Sequence, residues 1–107
     1  LSAKLYYDME YYKSAVIALN NSLNDYPSTK HREELKFLLF KSKYLLAVNS
    51  VEEKKRERTI DARDEYFTFA DEFPQSKYLK EVNRDYKHIQ QLLGLKEDET
   101  SMVSKNQ

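Results

Sequence analysis

The sequence predicts an all-α fold in which helices pack as antiparallel pairs, and three observations support this prediction. Gly and Pro, the residues that most disfavour a helix, occur only once and twice among the 107 residues. Apolar residues recur at three- and four-residue steps along most of the chain. Two stretches also match each other at an offset of 47 residues, which indicates a repeated structural unit.

The repeated unit is an alanine followed, twelve residues later, by an aromatic-proline turn and then by a hydroxyl-lysine pair. The shared order of acidic, aromatic, proline, hydroxyl, lysine and acidic residues makes a chance match improbable. The first copy is Ala15, Leu19, Asp25, Tyr26, Pro27, Thr29, Lys30, Glu34 and Leu35, and the second is Ala62, Tyr66, Glu72, Phe73, Pro74, Ser76, Lys77, Glu81 and Val82.

The first three helices are predicted from the residues that begin and end helices and from the apolar stripes between them. One helix ends near Asp8, and a second runs from about Glu10 to Asp25 with a single apolar stripe. Pro27 disfavours a helical residue before it, and Ser28 or Thr29 is expected to cap a third helix reaching about Val48. This third helix carries two apolar stripes and is therefore expected to lie between neighbours. The stripes are Leu35, Leu38, Leu39, Ser42, Leu45 and Leu46, and Phe37, Phe40, Tyr44 and Val48.

Two further helices follow. Ser50 with Glu53 has the pattern of a capping box, which predicts a fourth helix from about Val51 to Glu72. A fifth is predicted to start at Ser76 and to end at Gly94, where glycine suits a left-handed cap. The predicted helical repeat domain is thus 1–94, and the polar segment 95–107 is predicted to be a disordered tail.

Composition excludes several functional classes. The 18 basic and 18 acidic residues leave no net charge, whereas a nucleic-acid-binding protein needs clustered cations. The absence of cysteine excludes disulfides and thiolate metal sites within these residues. The longest apolar run is five residues, far below the roughly 20 that span a bilayer.

A resemblance to a known family rests on two sets of residues. The segment Tyr12-Lys13-Ser14-Ala15-Val16 resembles the second-helix core of a tetratricopeptide (TPR) repeat. The long-helix period and the junction motifs D-Y-P-S-T-K and E-F-P-Q-S-K resemble the BamD/YfiO family of outer membrane assembly lipoproteins, in its C-terminal part. The expected fold is therefore a TPR-like α-solenoid of about five antiparallel helices, roughly two and a half repeats.

The resemblance implies a non-catalytic periplasmic scaffold, anchored to the outer membrane by a lipid outside this sequence. It implies binding to the POTRA domains of a BamA-type partner and to other subunits of the barrel assembly machinery. Because the chain holds fewer repeats than usually fold alone, it is also expected to pack against upstream repeats of the same chain. Two alternatives stay open, a generic TPR adaptor in envelope organisation or signalling, and an accessory glycan-binding protein.

Three groups of residues are predicted to contact a partner. An uncharged face on the second helix is unusual in a chain that is 34% charged. Tyr7 or Tyr11 is left over when Tyr6 and Tyr12 face inward, and a surface tyrosine often anchors an interface, with packing against an upstream repeat as the alternative. The third group is a basic run near residue 55. Its alternative interpretation is an exposed first turn of a helix, stabilised by an ion pair between Glu52 and Arg56. The groups are Ile17, Asn20, Asn21 and Asn24; Tyr7 and Tyr11; and Lys54, Lys55, Arg56 and Arg58.

No pattern of catalytic or metal-binding residues accompanies these groups, so no enzyme activity, metal or cofactor is predicted. His31 and His88 lack zinc-ligand spacing and are predicted to be surface residues. Carboxylate pairs such as Glu33-Glu34 are adjacent, and adjacent side chains diverge by about 100° on a helix. The sequence therefore predicts a fold that provides surfaces for protein–protein contact.

Overall fold

The computed structural model describes residues 2–94 and consists of α-helices there. It confirms the predicted all-α, TPR-like arrangement of five helices. Leu1 and the predicted tail 95–107 lie outside the described residues. The helices are α1 (Ala3–Asp8), α2 (Tyr12–Asp25), α3 (Arg32–Val48), α4 (Glu52–Glu72) and α5 (Leu79–Leu92).

Helix α3 is the centre of the molecule. It packs against each of the other four helices, whereas α2 and α4 do not contact each other within residues 2–94. One apolar cluster joins α3 to α2 through Leu38 and Leu39 on one side and Ala15 and Leu19 on the other. A second cluster joins Phe40 of α3 to α4 and α5. The prediction that α3 uses two apolar stripes and lies between neighbours is confirmed.

The direction of the helices follows from the contacts that α3 makes along its length. Toward α5, the ring of Phe37 stacks on Tyr78 with centroids 4.0 Å apart. Further along, Lys41 bonds to Asp85, and Tyr44 bonds to His88. Contacts therefore advance together on both helices, so α3 and α5 run parallel. Toward α4 they advance in opposite senses, from Lys36 with Glu65 to Lys43 with Asp61, so α3 and α4 are antiparallel.

The two proline turns end helices as predicted, but the following helices begin later than predicted. The hydroxyl of Thr29 accepts a hydrogen bond from the backbone N–H of His31, and that of Ser76 accepts one from Tyr78. Each hydroxyl closes a turn that precedes the helix, and α3 and α5 begin at Arg32 and Leu79. The first helical turn of α3 therefore lacks the side-chain cap that the sequence predicts.

The prediction of a Ser50–Glu53 capping box is wrong. The residue that precedes α4 is Val51, which makes no side-chain capping bond. The Ser50 hydroxyl instead donates to the Leu46 carbonyl at 2.6 Å and so belongs to the end of α3. A serine hydroxyl can bond backwards to a carbonyl as readily as forwards to an N–H, and the sequence pattern does not distinguish the two. At the other end of the domain, Gly94 has the predicted left-handed conformation, with φ at +75°.

The turn between α1 and α2 is strained at Glu10. Its φ is +64°, a left-handed conformation that costs a residue with a Cβ about 1–2 kcal/mol. We expect Glu10→Gly to raise the free energy of unfolding by about 1 kcal/mol, since glycine removes this strain but loses more chain entropy on folding. Urea unfolding measures the change. Glu10→Ala is the control, because it removes the carboxylate and keeps the Cβ; an equal gain for both variants would contradict this explanation.

Candidate protein-interaction surfaces

The uncharged face of α2 is exposed as the sequence predicts. Its residues lie three, four and seven positions apart and so point to one side of the helix, opposite the buried Ala15 and Leu19. Ile17 is 56% exposed and is the apolar residue of this side of the helix. We call this surface the asparagine face, and it consists of Ile17, Asn20, Asn21 and Asn24.

The structure separates the two candidate tyrosines. Tyr7 is half-buried, packs on the cluster between α2 and α3, and meets the ring of Tyr12 edge-to-face at 5.8 Å. Burial raises the pKa of its phenol above the ordinary value. Tyr7 therefore takes part in packing within the chain, and its contact with a partner stays a prediction. The adjacent Tyr11 is 54% exposed and keeps its candidate role.

Tyr11 borders a cleft of about 360 Å³ between the start of α2 and the end of α3. Leu46 contributes an apolar side to this cleft, while Lys13 and Asn49 contribute polar ones. The cleft lies at the turn that contains the strained Glu10. An exposed aromatic ring beside such a cleft suits contact with a partner side chain.

The basic segment is helical from Glu52 onward and does not form one patch. Lys54 and Arg56 are exposed, whereas Lys55 and Arg58 are half-buried. Arg58 donates to the Ser50 hydroxyl at 2.8 Å, so it joins α4 to the end of α3. Arg56 approaches the Leu93 carbonyl at 3.5 Å. Among residues 2–94, the predicted ion pair between Glu52 and Arg56 does not form, because the guanidinium points toward the end of α5.

A polar cluster that was not predicted from the sequence lies between α3 and α5. The Lys41 ammonium bonds to Asp85 at 2.5 Å and to Glu81 at 2.9 Å, and Lys41 and Asp85 are both buried. Burial by itself would lower the pKa of Lys41, but the hydrogen bonds and charges of the two carboxylates outweigh it, so the net pKa is raised. We call these three residues the α3–α5 ion cluster.

Next to this cluster, the Tyr44 hydroxyl and the Nδ1 atom of His88 are 2.6 Å apart. Burial raises the pKa of the Tyr44 phenol, and the charge of Asp85 adds to the effect. His88 is half-buried by this contact, so its prediction as a surface residue is wrong, whereas His31 is exposed as predicted. A lysine within the apolar run Leu38-Leu39-Phe40-Lys41 was the one sequence signal for this region, since an unpaired lysine is rarely buried.

Most charged groups that the fold brings together are paired, whereas the buried Ser42 hydroxyl has no hydrogen-bond partner in the described part of the chain. Glu65, for example, bonds to both Lys36 and Lys43 of α3 at 3.2 and 3.1 Å. Within residues 2–94, no three His, Asp or Glu side chains are placed to hold a metal ion. Nor does any helix in this part of the chain combine the length and apolar content needed to cross a bilayer. What the described surfaces provide is contact area with a few exposed apolar and basic side chains.

Comparison with known proteins agrees with this arrangement. The sequence model of the YfiO family, described as outer membrane lipoproteins, matches residues 2–104. No curated protein matches the chain. The family match covers nearly all of the sequence, including both proline turns and all five helices. The chain therefore belongs to the YfiO family of outer membrane lipoproteins, whose role is in outer membrane assembly.

Proposed function

We propose that the chain is a non-catalytic scaffold of the machinery that assembles β-barrel proteins in the outer membrane. It acts on the periplasmic side, where a lipid outside this sequence holds it to the membrane. Family membership supports the role in assembly. The arrangement of charges supports the role as a scaffold, because half-buried Lys36 and buried Lys41 of α3 bond to carboxylates of α4 and α5 and so hold the helices together.

The partner that we propose is the POTRA region of a BamA-type protein, and the asparagine face is the observation that carries this proposal. An exposed apolar side chain surrounded by uncharged amides matches a common design of interfaces, in which a few anchors supply most of the affinity and polar neighbours exclude water. Ile17 is the anchor, and Asn20, Asn21 and Asn24 supply hydrogen bonds around it. All four residues are neutral, so a partner could cover this face without the cost of removing water from a charged side chain.

The other exposed candidates are assigned to additional contacts with the same partner. Tyr11 and its cleft lie at the start of the same helix and offer a second aromatic anchor. Lys54 and Arg56 are exposed cations at the start of α4 and would add salt-sensitive contacts to acidic groups of the partner. Lys55 and Arg58, which are half-buried, have a smaller part.

A single substitution tests the asparagine face. We expect Ile17→Asp to weaken binding to the purified POTRA region of the BamA-type protein from the same organism by at least about tenfold, which is 1.4 kcal/mol. The reason is that an aspartate cannot enter an apolar contact without losing its hydration. Biolayer interferometry with the immobilised POTRA region measures the affinity.

The matched control is Val51→Asp. Val51 is also an exposed β-branched residue, at 65%, but it precedes α4 and lies outside the asparagine face. This variant should bind with wild-type affinity, since aspartate suits the residue that caps a helix. Equal affinity of wild-type and Ile17→Asp would remove the asparagine face from the interface, and no binding by the wild-type chain would contradict the proposed partner.

A further inference from the structure

The outward side of α5 has a segregated charge. Its exposed residues recur along one side of the helix, and they include three cations and no carboxylate. The two acidic residues of the helix, Glu81 and Asp85, bond to Lys41 of α3; the Asp85 side chain is buried there, and that of Glu81 is 40% exposed. The chain as a whole has no net charge, so this positively charged surface is a local feature. We call it the α5 basic face, and it consists of Lys80, Asn83, Arg84, Lys87 and Gln91.

The internal repeat shows how this face differs from that of an ordinary repeat helix. At the 47-residue offset, α5 is the counterpart of α3. The aromatic residues through which α3 packs on α4 and α5 are Phe37, Phe40 and Tyr44. Their counterparts on α5 are Arg84, Lys87 and Gln91. The outward side of α5 therefore lacks the aromatic residues through which α3 packs on α4 and α5, and it is suited to a charged partner.

An aromatic group of α4 and α5 borders the basic face. The rings of Tyr66 and Tyr86 stack with centroids 4.2 Å apart, and Phe67 meets Tyr86 at 5.4 Å. The Tyr66 hydroxyl donates to Asn83 at 2.7 Å, which joins the aromatic group to the basic face. Phe67 is 49% exposed and so offers an apolar contact beside the cations.

We propose that the α5 basic face, together with Phe67, binds an acidic surface of a protein partner in the assembly machinery. This inference rests on the proposed scaffold function and assigns a second interface, separate from the asparagine face. Lys80 and Lys87 supply positive charge, and the guanidinium of Arg84 can bond a carboxylate through two parallel hydrogen bonds. An aromatic residue and arginine at the centre of a contact are the residue types that dominate protein interfaces.

A protein partner fits this face better than an anionic membrane does. Membrane-surface helices turn a broad apolar side into the lipid, whereas the apolar side of α5 lies in the protein core through Val82 and Ile89. Among the residues that the structure describes, Phe67 is the strongly exposed aromatic residue beside the face, so little apolar area would enter a bilayer. The amides of Asn83 and Gln91 add directional hydrogen-bonding groups, which another polypeptide can match.

The test uses the full 107-residue chain and a synthetic helical peptide with glutamate at every third and fourth position, labelled for fluorescence anisotropy. The variant Lys80→Gln, Arg84→Gln, Lys87→Gln removes the charge of the face. The control Lys4→Gln, Lys30→Gln, Lys77→Gln removes the same charge from exposed positions outside both proposed interfaces. Thermal melts by circular dichroism verify that both variants fold.

We expect the α5 variant to bind the peptide at least tenfold more weakly than the wild-type chain, and the control to stay within twofold. Wild-type affinity should also fall as salt rises from 20 to 200 mM, because the contact is ionic. An equal loss in both triple variants would overturn the proposal, since it would show that only total charge matters.

Two further measurements separate this proposal from its alternatives. Vesicles of phosphatidylglycerol and phosphatidylethanolamine replace the peptide in a sedimentation assay, and binding to vesicles through α5 without peptide binding would overturn the proposal in favour of a lipid surface. The POTRA region tests the proposed function independently. If the POTRA region does not bind the wild-type chain, that function fails, whereas the peptide result still decides the role of the α5 basic face.

Discussion

Phe40→Ala is expected to lower the free energy of unfolding by about 3–5 kcal/mol, the usual cost of truncating a buried phenylalanine. Phe40 is fully buried, and it is the α3 member of the cluster that α4 and α5 complete. Its ring lies 6.1 Å from the rings of both Tyr44 and Tyr66. The cavity left by alanine cannot close easily, because side chains of three different helices surround it.

Urea unfolding followed by circular dichroism measures this loss. A domain of this size has a total stability of about 5–15 kcal/mol, so the variant should be partly unfolded at 37 °C. Phe67→Ala is the matched control, since it removes the same side chain from a half-exposed position on α4. We expect a loss of about 1 kcal/mol or less for the control. Equal losses would contradict the assignment of Phe40 to the centre of the core.

Lys41→Met is expected to cost about 3–5 kcal/mol at pH 7, because it leaves a buried carboxylate without its partner. The side chains of Lys41 and Asp85 are 9% and 7% exposed, so water cannot replace the lost ammonium at Asp85. Methionine matches the length of the lysine chain, which keeps the loss of packing small. Chemical unfolding of wild-type and variant gives the difference.

A double variant separates the lost charge from the lost shape. Lys41→Met with Asp85→Leu replaces the buried pair by apolar groups of similar volume, and we expect it to recover most of the stability. If the double variant is as unstable as Lys41→Met, the unpaired carboxylate is not the cause.

The pH dependence of this interaction has a definite sign. The pKa of Lys41 is raised in the folded state, where burial opposes the charge but Asp85 and Glu81 more than compensate for it. A raised pKa of a basic group stabilises the folded chain at pH values below the unfolded pKa, and this contribution is lost as the pH rises through the folded pKa. The stability gap between wild-type and Lys41→Met should thus persist at pH 7 and narrow above about pH 10.5.

Both proposed interfaces depend on α3. The asparagine face belongs to α2, which packs on Leu38 and Leu39, and the α5 basic face belongs to a helix held by Phe40 and Lys41. Four consecutive residues of α3, from Leu38 to Lys41, therefore hold the two helices that carry the asparagine face and the α5 basic face. Substitutions in this part of α3 are expected to weaken both contacts through stability, whereas Ile17→Asp and the α5 charge variants act on one contact each.

Local features of the sequence were sufficient to predict the helices. Pro27, Pro74 and Gly94 act on the backbone where they stand, and apolar periodicity depends on residues within one or two turns. The repeat of 47 residues and the junction motifs identified the family. The exposure of Ile17 was also predictable, because it lies opposite a single apolar stripe on α2.

Only the tertiary structure decided which polar side chains pair and which remain on the surface. Lys41 and Asp85 are 44 residues apart, and nothing local links them. The same limit explains the error at His88, whose environment depends on a helix distant in sequence. The basic side of α5 became visible once Glu81 and Asp85 were placed against α3. Periodicity determines which side of a helix is apolar, whereas the charge of a surface depends on which of its ions a neighbouring helix has neutralised.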